Sequence, residues 1–199
     1  MKKFATGILS ILTAMLIVAA LPTEADAGIY DDTLRLHILA ASDSEEDQAL
    51  KLAVRDGILA EYSAQLSEVG DLDDARAALE ARLPDIVATA ERIVAEAGYD
   101  YRVTASLGEE WYDTRDYGEL SLPRGVYTSL IIKIGEGQGR NWWCVMYPPM
   151  CLDVATAKGT AAYSDDEYRL ISESGYRIKF KLLEAINETS RGAKRLFGR

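Results

Sequence analysis

The stretch TLRLHILAASDSEEDQALKLAV, residues 33–54, decides the fold because its apolar repeat changes from every second residue to every fourth. In its first part, Leu34, Leu36 and Ile38 alternate with other residues. That alternation predicts a strand with one clearly apolar face. The polar residues after Ala40 then separate this strand from a helix.

The helix is predicted to begin at the polar residues SDSEED. Ser44 lies three residues before Asp47, a spacing that resembles a capping box, and acidic residues favour the first turn of a helix. From Leu50 to Leu66, an apolar side chain recurs at every fourth residue, which is the buried stripe of an amphipathic helix. Gly57 within this stripe indicates the close approach of another element.

Further helices are predicted after residue 70. Asp71 caps a helical stretch that Pro84 interrupts, so two helices or one sharp kink are expected. Gly98 ends this region as a C-cap. A last helix is predicted over residues 165 to about 187.

Strands dominate the region between these helices. The segments YRVTASL, YTSLIIKI and WWCVMY have a two-residue period, and SLPRG and GEGQGRN are typical of turns between them. Glu109 and Glu110 are interpreted as loop surface. The order of elements predicts an α+β fold, with an antiparallel sheet of about four to five strands and helices packed on one face.

The N-terminal residues predict export. A basic start, an apolar run over residues 8–21 and the sequence Ala-Asp-Ala at 25–27 are typical of a secretory signal peptide. The apolar run is shorter than the roughly 20 residues that span a bilayer. Residues 1–27 are therefore predicted to be a signal peptide, with an uncleaved anchor as the alternative, and residues 28–199 a single exported domain. A net charge of -10 argues against nucleic acid and anionic lipid as partners.

The segment NWWCVMYPPMC, residues 141–151, contains both cysteines of the chain. An extended chain would separate Cys144 from Cys151 by about 23 Å, whereas a disulfide needs Cα atoms within about 7 Å. The chain must therefore reverse between them, and Pro148-Pro149 is where it could do so. In an exported protein a disulfide is the simplest use of the pair; two buried free thiols are the alternative.

Catalysis by Cys144 would require a nearby base. The one histidine, His37, lies on the first strand, and Asn141 could orient its ring. No feature of the sequence around Cys144 is of the kind that lowers a thiol pKa. No catalytic residue is therefore predicted. One histidine and two cysteines are too few for a typical zinc site, so no metal or other cofactor is predicted.

Recognition is the interpretation that remains for this segment. Alternation predicts one face with Trp142, Cys144 and Met146, and the opposite face with Trp143, Val145 and Tyr147. Because only one face packs on the helices, the other would expose an aromatic side chain, which is typical of binding surfaces. The predicted partner-binding residues are Trp142, Trp143, Asn141, Asp43 and Ser44. The alternative is that both indoles belong to the core.

Two long motifs resemble the stage II sporulation protein R family. They are LRLHILAASDSEEDQALKLAVRDGIL, residues 34–59, and GEGQGRNWWCVMYPPMC, residues 135–151. Residues 101–107 and 122–134 also fit. The first motif of that family usually reads Ala-Asn-Ser-Asp, and Ala41 stands here in place of the asparagine.

The resemblance implies a signal and not an enzyme. In that family the protein is made in the forespore and exported into the space between the forespore and mother-cell membranes. There it triggers a membrane-embedded aspartic protease, which matures the precursor of the mother-cell sigma factor. That protease is the implied partner, and no small-molecule substrate is expected. The alternatives are an exported thiol hydrolase that uses Cys144 and His37, and a cell-wall binding module.

We expect Cys144 and Cys151 to be bridged in exported material, because the compartment is oxidising and the Pro-Pro pair allows the chain to reverse. Intact-mass analysis after alkylation under denaturing conditions should show no added label without reductant. The matched control, the same sample after reduction, should show two labels. Two labels before reduction would contradict the prediction.

Overall fold

The computed structural model describes residues 7, 10–15, 24–66, 68–117, 120–148 and 163–172. Most of the predicted signal peptide, and the predicted last helix beyond Ser172, lie outside the described residues. After a helical segment at residues 10–15, the elements are α1 (Glu24–Asp31), β1 (Leu34–Leu39), α2 (Glu45–Leu66), α3 (Leu72–Ala81), α4 (Leu83–Glu96), β2 (Val103–Tyr112), β3 (Arg115–Tyr117), β4 (Leu120–Leu122), β5 (Gly125–Ile134), β6 (Asn141–Tyr147) and α5 (Asp165–Ser172). Within these ranges, no helix combines the length and the apolar character needed to cross a membrane.

The main sheet has four strands in the order β2-β5-β1-β6, and β3 pairs with β4 in a separate two-stranded sheet. The α+β prediction is confirmed, but the prediction of an antiparallel sheet is wrong at one pairing. β1 runs antiparallel to β6 and parallel to β5. Alternation identifies a strand but carries no information about the direction of its neighbour. Here β5, the parallel neighbour, follows β1 in the chain only after three helices and the three strands β2, β3 and β4.

The first core lies between the sheet and the helices α2, α3 and α4. The predicted apolar face of β1 is confirmed, since Leu34, Leu36 and Ile38 are fully buried in it. The predicted stripe of α2 is buried against them, and its members are Leu50, Val54, Ile58, Tyr62 and Leu66. A Cβ atom at Gly57 would overlap Cδ1 of Ile93 in α4, so the predicted close approach is also confirmed.

The helix boundaries follow the predicted signals. Asp71 accepts a hydrogen bond from the backbone N–H of Asp74 at 2.9 Å, as an N-cap does. α3 ends and α4 begins next to Pro84, which lies in the first turn of α4, where the missing N–H leaves no hydrogen bond unmade. Gly98 has a φ of 87°, the left-handed conformation that follows many helices.

A second core covers part of the opposite face of the sheet, so the prediction of helices on one face only is wrong. This core is formed by α1, α5, the β3–β4 hairpin and the sheet, and its buried members are Ile29, Tyr112, Leu120, Leu122, Tyr127, Val145, Tyr163 and Ile171. Tyrosines and isolated aliphatic residues make this core, and they lack the regular spacing that identifies a helix stripe. As a result β1 is buried on both faces, and Arg35 is 0% exposed.

Candidate functional site

Two turns at one end of the sheet lie directly against each other. They are residues 41–44 before α2 and residues 135–140 between β5 and β6, and we call them the paired turns. The backbone N–H of Arg140 donates to Oδ1 of Asp43 at 2.6 Å, and its Nε lies 3.7 Å from the same oxygen. Nζ of Lys51 in α2 donates to the carbonyl oxygen of Arg140 at 2.8 Å. The two motifs of the sequence therefore meet at one surface.

The glycines of the second turn permit this contact. A Cβ atom at Gly139 would overlap the backbone carbonyl of Ser42. The Gly139 N–H also donates to the carbonyl oxygen of Ala40 at 3.0 Å. Gly135 and Gly137 have φ angles of 56° and 62°, a left-handed conformation that side chains disfavour. Close packing and backbone hydrogen bonds thus fix the position of one turn on the other.

The start of α2 completes the paired turns. Oγ of Ser44 accepts a hydrogen bond from the Asp47 N–H at 3.1 Å, so Ser44 is the predicted N-cap. The Asp47 carboxylate does not return this bond to Ser44. It accepts instead from Oγ of Ser42 at 2.5 Å, and the Ser44 N–H donates to the same Ser42 oxygen at 3.2 Å. The Ser42 hydroxyl therefore both donates and accepts a hydrogen bond within the first turn. These internal bonds stabilise that turn in addition to its contacts with the second turn.

The ammonium group of Lys51 is buried beneath the paired turns and hydrogen-bonded there. Lys51 is 4% exposed and donates to Oε1 of Gln48 at 2.6 Å as well as to Arg140. Burial, and then the nearby positive charge of Arg140, lower the pKa of Lys51. Lys51 thus links α2 to the second turn through its hydrogen bond to Arg140, while its bond to Gln48 stays within α2.

A polar cavity of about 700 Å³ opens beside the paired turns. Its lining carries charges of both signs, and it consists of Ala41, Ser42, Asp47, Asp100, Tyr101, Arg102, Thr104, Lys133, Gly135, Glu136 and Gln138. The cavity therefore extends the polar surface of the turns toward the start of β2.

The two tryptophans of β6 lie on opposite faces of the sheet, as predicted, and both are half-buried. Trp142 packs beside the first core, and the guanidinium of Arg55 in α2 lies 4.4 Å from its ring centroid. Trp143 stacks on His37 with centroids 3.7 Å apart and an angle of 18° between the rings. Each indole therefore has a packing partner. This agrees in part with the alternative interpretation, in which both indoles belong to the core.

Tyr147 is not on the face that alternation predicted. The pairing of β1 with β6 shifts in register between Leu34 and Arg35, and Tyr147 joins the first core with Cys144 and Met146. A register shift of this kind inserts an extra residue and reverses the alternation beyond it. Strict alternation therefore assigned the wrong face to this side chain.

His37 and Glu110 form a polar pair in the second face of the sheet. Nδ1 of His37 lies 2.9 Å from both carboxylate oxygens of Glu110. The interpretation of Glu110 as loop surface is wrong, because β2 continues past Gly108 to Tyr112. Nε2 of His37 is buried and has no hydrogen-bond partner in the described part of the chain. The β-forming residues after Gly108 were the signal that could have extended the predicted strand.

Arg35 is a second buried group that the sequence did not reveal. Its Nη2 donates to the Tyr117 hydroxyl at 2.6 Å, and its Nε donates to the carbonyl oxygen of Cys144 at 3.3 Å. Its guanidinium carbon lies 4.2 Å from the ring centroid of Tyr112 and 5.0 Å from that of Tyr127. Burial raises the pKa of both of these tyrosines, so they remain neutral around the cation.

The candidate thiol site is not assembled. Cys144 belongs to the first core, next to its strand partner Leu36, whereas His37 is paired with Glu110 on the opposite face. The sheet therefore separates the thiol position from the imidazole. Cys151 lies outside the described residues, so its pairing with Cys144 remains a prediction.

Fold and site together define an α+β domain whose distinctive surface is a fixed pair of polar turns. The chain belongs to the stage II sporulation protein R family, whose model matches residues 30–157. It is 31% identical to Stage II sporulation protein R of Bacillus subtilis (strain 168) over 168 residues, which cover 84% of this chain and 72% of the relative. No solved structure matches the chain. The predicted resemblance is confirmed, and family membership supports a role in sporulation.

We expect Gly139→Ala to destabilise the domain, because its Cβ would overlap the backbone of Ser42 and force the paired turns apart. Overpacking of this kind typically costs about 1–3 kcal/mol. Gly70→Ala is the matched control, since its Cβ would meet only Oδ2 of Asp74 at 4.0 Å. The measurement is the free energy of unfolding in urea. Equal stability of the two variants would show that the turns are not closely packed.

We expect the His37–Glu110 pair to be energetically coupled, because removing either partner leaves the other with an unmade hydrogen bond. His37→Ala and Glu110→Ala should each lower the free energy of unfolding. The double variant should lose less than the sum, with a coupling energy of about 0.5–3 kcal/mol. The measurement is a double-mutant cycle in urea. Additive losses would contradict the pairing.

Proposed function

We propose that this protein is an exported sporulation signal that activates a membrane-embedded aspartic protease, which in turn matures the precursor of the mother-cell sigma factor. The single observation that carries the proposal is the family match over residues 30–157. In this proposal residues 1–27 direct export, and the protein acts in the space between the forespore and mother-cell membranes. The domain contributes a binding surface and performs no chemistry on the protease or its substrate.

The geometry of the sheet supports binding over thiol catalysis. A nucleophile and its base must lie within hydrogen-bond reach of each other. Cys144 and His37 lie on opposite faces of the sheet, and the imidazole is already engaged by Glu110. The thiol hydrolase, which is the rival function, therefore lacks the arrangement that it requires.

The paired turns are the part of the domain that best suits contact with the protease. Asp43 and Ser44 are exposed in the first turn, and Asn141 is exposed directly after the second turn, at the start of β6. Fixed turns lose little conformational entropy on binding, which favours affinity. Trp142 borders this surface, and its buried Nε1 has no hydrogen-bond partner among the described residues. Trp143 is engaged by His37, so we assign it a supporting role.

Co-expression tests the proposal. The full chain, the partner protease and the sigma-factor precursor would be produced together in a host that does not sporulate, and cleavage of the precursor would be followed by immunoblotting. We expect cleavage to require the chain and the catalytic aspartate of the protease. Cleavage that is equally fast without the chain would overturn the proposal.

The two tryptophans should differ in their effects. We expect Trp142→Ala to weaken activation while the domain stays folded, because truncating an interface tryptophan typically costs about 2 kcal/mol of binding, roughly thirtyfold in affinity. Trp143→Ala should mainly lower the unfolding temperature, because it removes the stacking partner of His37. Thermal unfolding and precursor cleavage are measured for both variants. Full activation by a folded Trp142→Ala protein would exclude this indole from the contact.

A further inference from the structure

The outer edge of β2 is an unpaired strand edge in the described part of the chain. β2 lies at one end of the four-stranded sheet and has only β5 as a neighbour. Its register with β5 runs without a break from Val103 to Tyr112. A strand in this position carries a row of backbone donors and acceptors that point away from the sheet.

The hydrogen-bond pattern identifies which residues of β2 point outward. The Gly135 N–H donates to the carbonyl oxygen of Arg102 at 2.9 Å, so the backbone carbonyl group of Arg102 points toward β5. In an antiparallel pair, residues that bond the neighbour alternate with residues that do not. The residues of β2 that direct their N–H and C=O groups outward are therefore Val103, Ala105, Leu107, Glu109 and Trp111.

The first of these residues confirms the assignment. The Val103 N–H lies 3.5 Å from Oε1 of Glu91 in α4, on the side away from β5. At the three outward positions that follow, Ala105, Leu107 and Glu109, the backbone groups have no hydrogen-bond partner among the described residues. A run of five residues, 105–109, is thus available to a strand from outside.

Within the described residues, this edge carries few of the features that usually prevent strand addition. Natural edges are blocked by proline, lysine, a bulge or a covering element. The sequence of β2 is VTASLGEEWY, without proline or lysine, and its pairing shows no bulge. Its only charges are those of Glu109 and Glu110, and His37 already engages Glu110. Glu109 is exposed at the edge.

The charges and apolar residues beside the edge indicate the chemistry of the added strand. The exposed Glu109 carboxylate favours a basic side chain opposite it. Two residues further on, on the same face, Trp111 is 46% exposed, and its strand neighbour Val126 is 47% exposed. A strand with a basic residue and an apolar residue separated by one position matches both features. The net charge of -10 disfavours a second copy of this chain.

We propose that the edge of β2 at residues 105–109 accepts an extended, basic segment of the partner as a fifth strand of the sheet. This inference rests on the proposed function, because the segment would belong to the protease that the protein activates. Backbone hydrogen bonds supply the affinity in this binding mode, and alternate side chains supply the specificity. The paired turns would then orient the complex from the adjacent end of the sheet.

The test is Glu109→Pro in the co-expression assay, measured together with thermal unfolding. Proline removes an N–H that the sheet does not use, and such positions on edge strands tolerate it. We expect a folded Glu109→Pro protein to lose activation by about tenfold or more, as one lost hydrogen bond and a steric block would produce. Glu109→Gln is the matched control, which keeps the N–H and removes only the charge, and it should lose only a few-fold.

The outcomes distinguish the proposed activation of the protease from the proposed strand addition at β2. If the unsubstituted chain fails to activate the protease, the proposed function is overturned and this inference with it. If it activates and a folded Glu109→Pro protein activates equally well, the inference alone is overturned. If Glu109→Pro does not fold, Glu109→Lys decides: a basic segment predicts lost activation, and full activation contradicts it. A dimer of the free chain in sedimentation that Glu109→Pro abolishes would assign the edge to a second copy and overturn the proposal.

Discussion

Strand β1 is hydrogen-bonded on both sides and buried on both faces, and the rest of the domain depends on that placement. Leu34, Leu36 and Ile38 anchor the three helices of the first core. Arg35 and His37 face the other way and organise the polar contacts of the second face. Because β1 ends at the first of the paired turns, its position also sets the position of the candidate binding surface.

The register of β1 is therefore strongly constrained. A slip by one residue would turn every side chain to the opposite face. Arg35 would then enter the aliphatic core beneath α2, away from the Tyr117 hydroxyl and the tyrosine rings that surround it. Burying an unpaired cation costs several kcal/mol. The apolar residues favour one register, and Arg35 and His37 oppose the alternatives, so both faces of the strand specify the same structure.

The sequence predicted those parts of the fold that depend on neighbours along the chain. The β1–α2 change of period, the Ser44 and Asp71 caps, the break at Pro84 and the end at Gly98 all arise from local backbone chemistry. The parallel pairing of β1 with β5, the second core and the His37–Glu110 pair arise from contacts between residues that are distant in the chain. The sequence also indicated the residues of the paired turns, although only the structure shows Asp43 and Arg140 in contact.

The sheet is protected at its centre and, among the described residues, open at one edge, which makes a specific claim about the free protein. Residue-resolved hydrogen exchange under native conditions tests it most directly. The account predicts that the amides of β1 exchange only through global unfolding, and that β2 alternates, with Ser106, Gly108 and Glu110 protected and Ala105, Leu107 and Glu109 exchanging fast. Equal protection of all six β2 amides would show that the edge is covered, and early exchange of β1 would show that it does not hold the fold together.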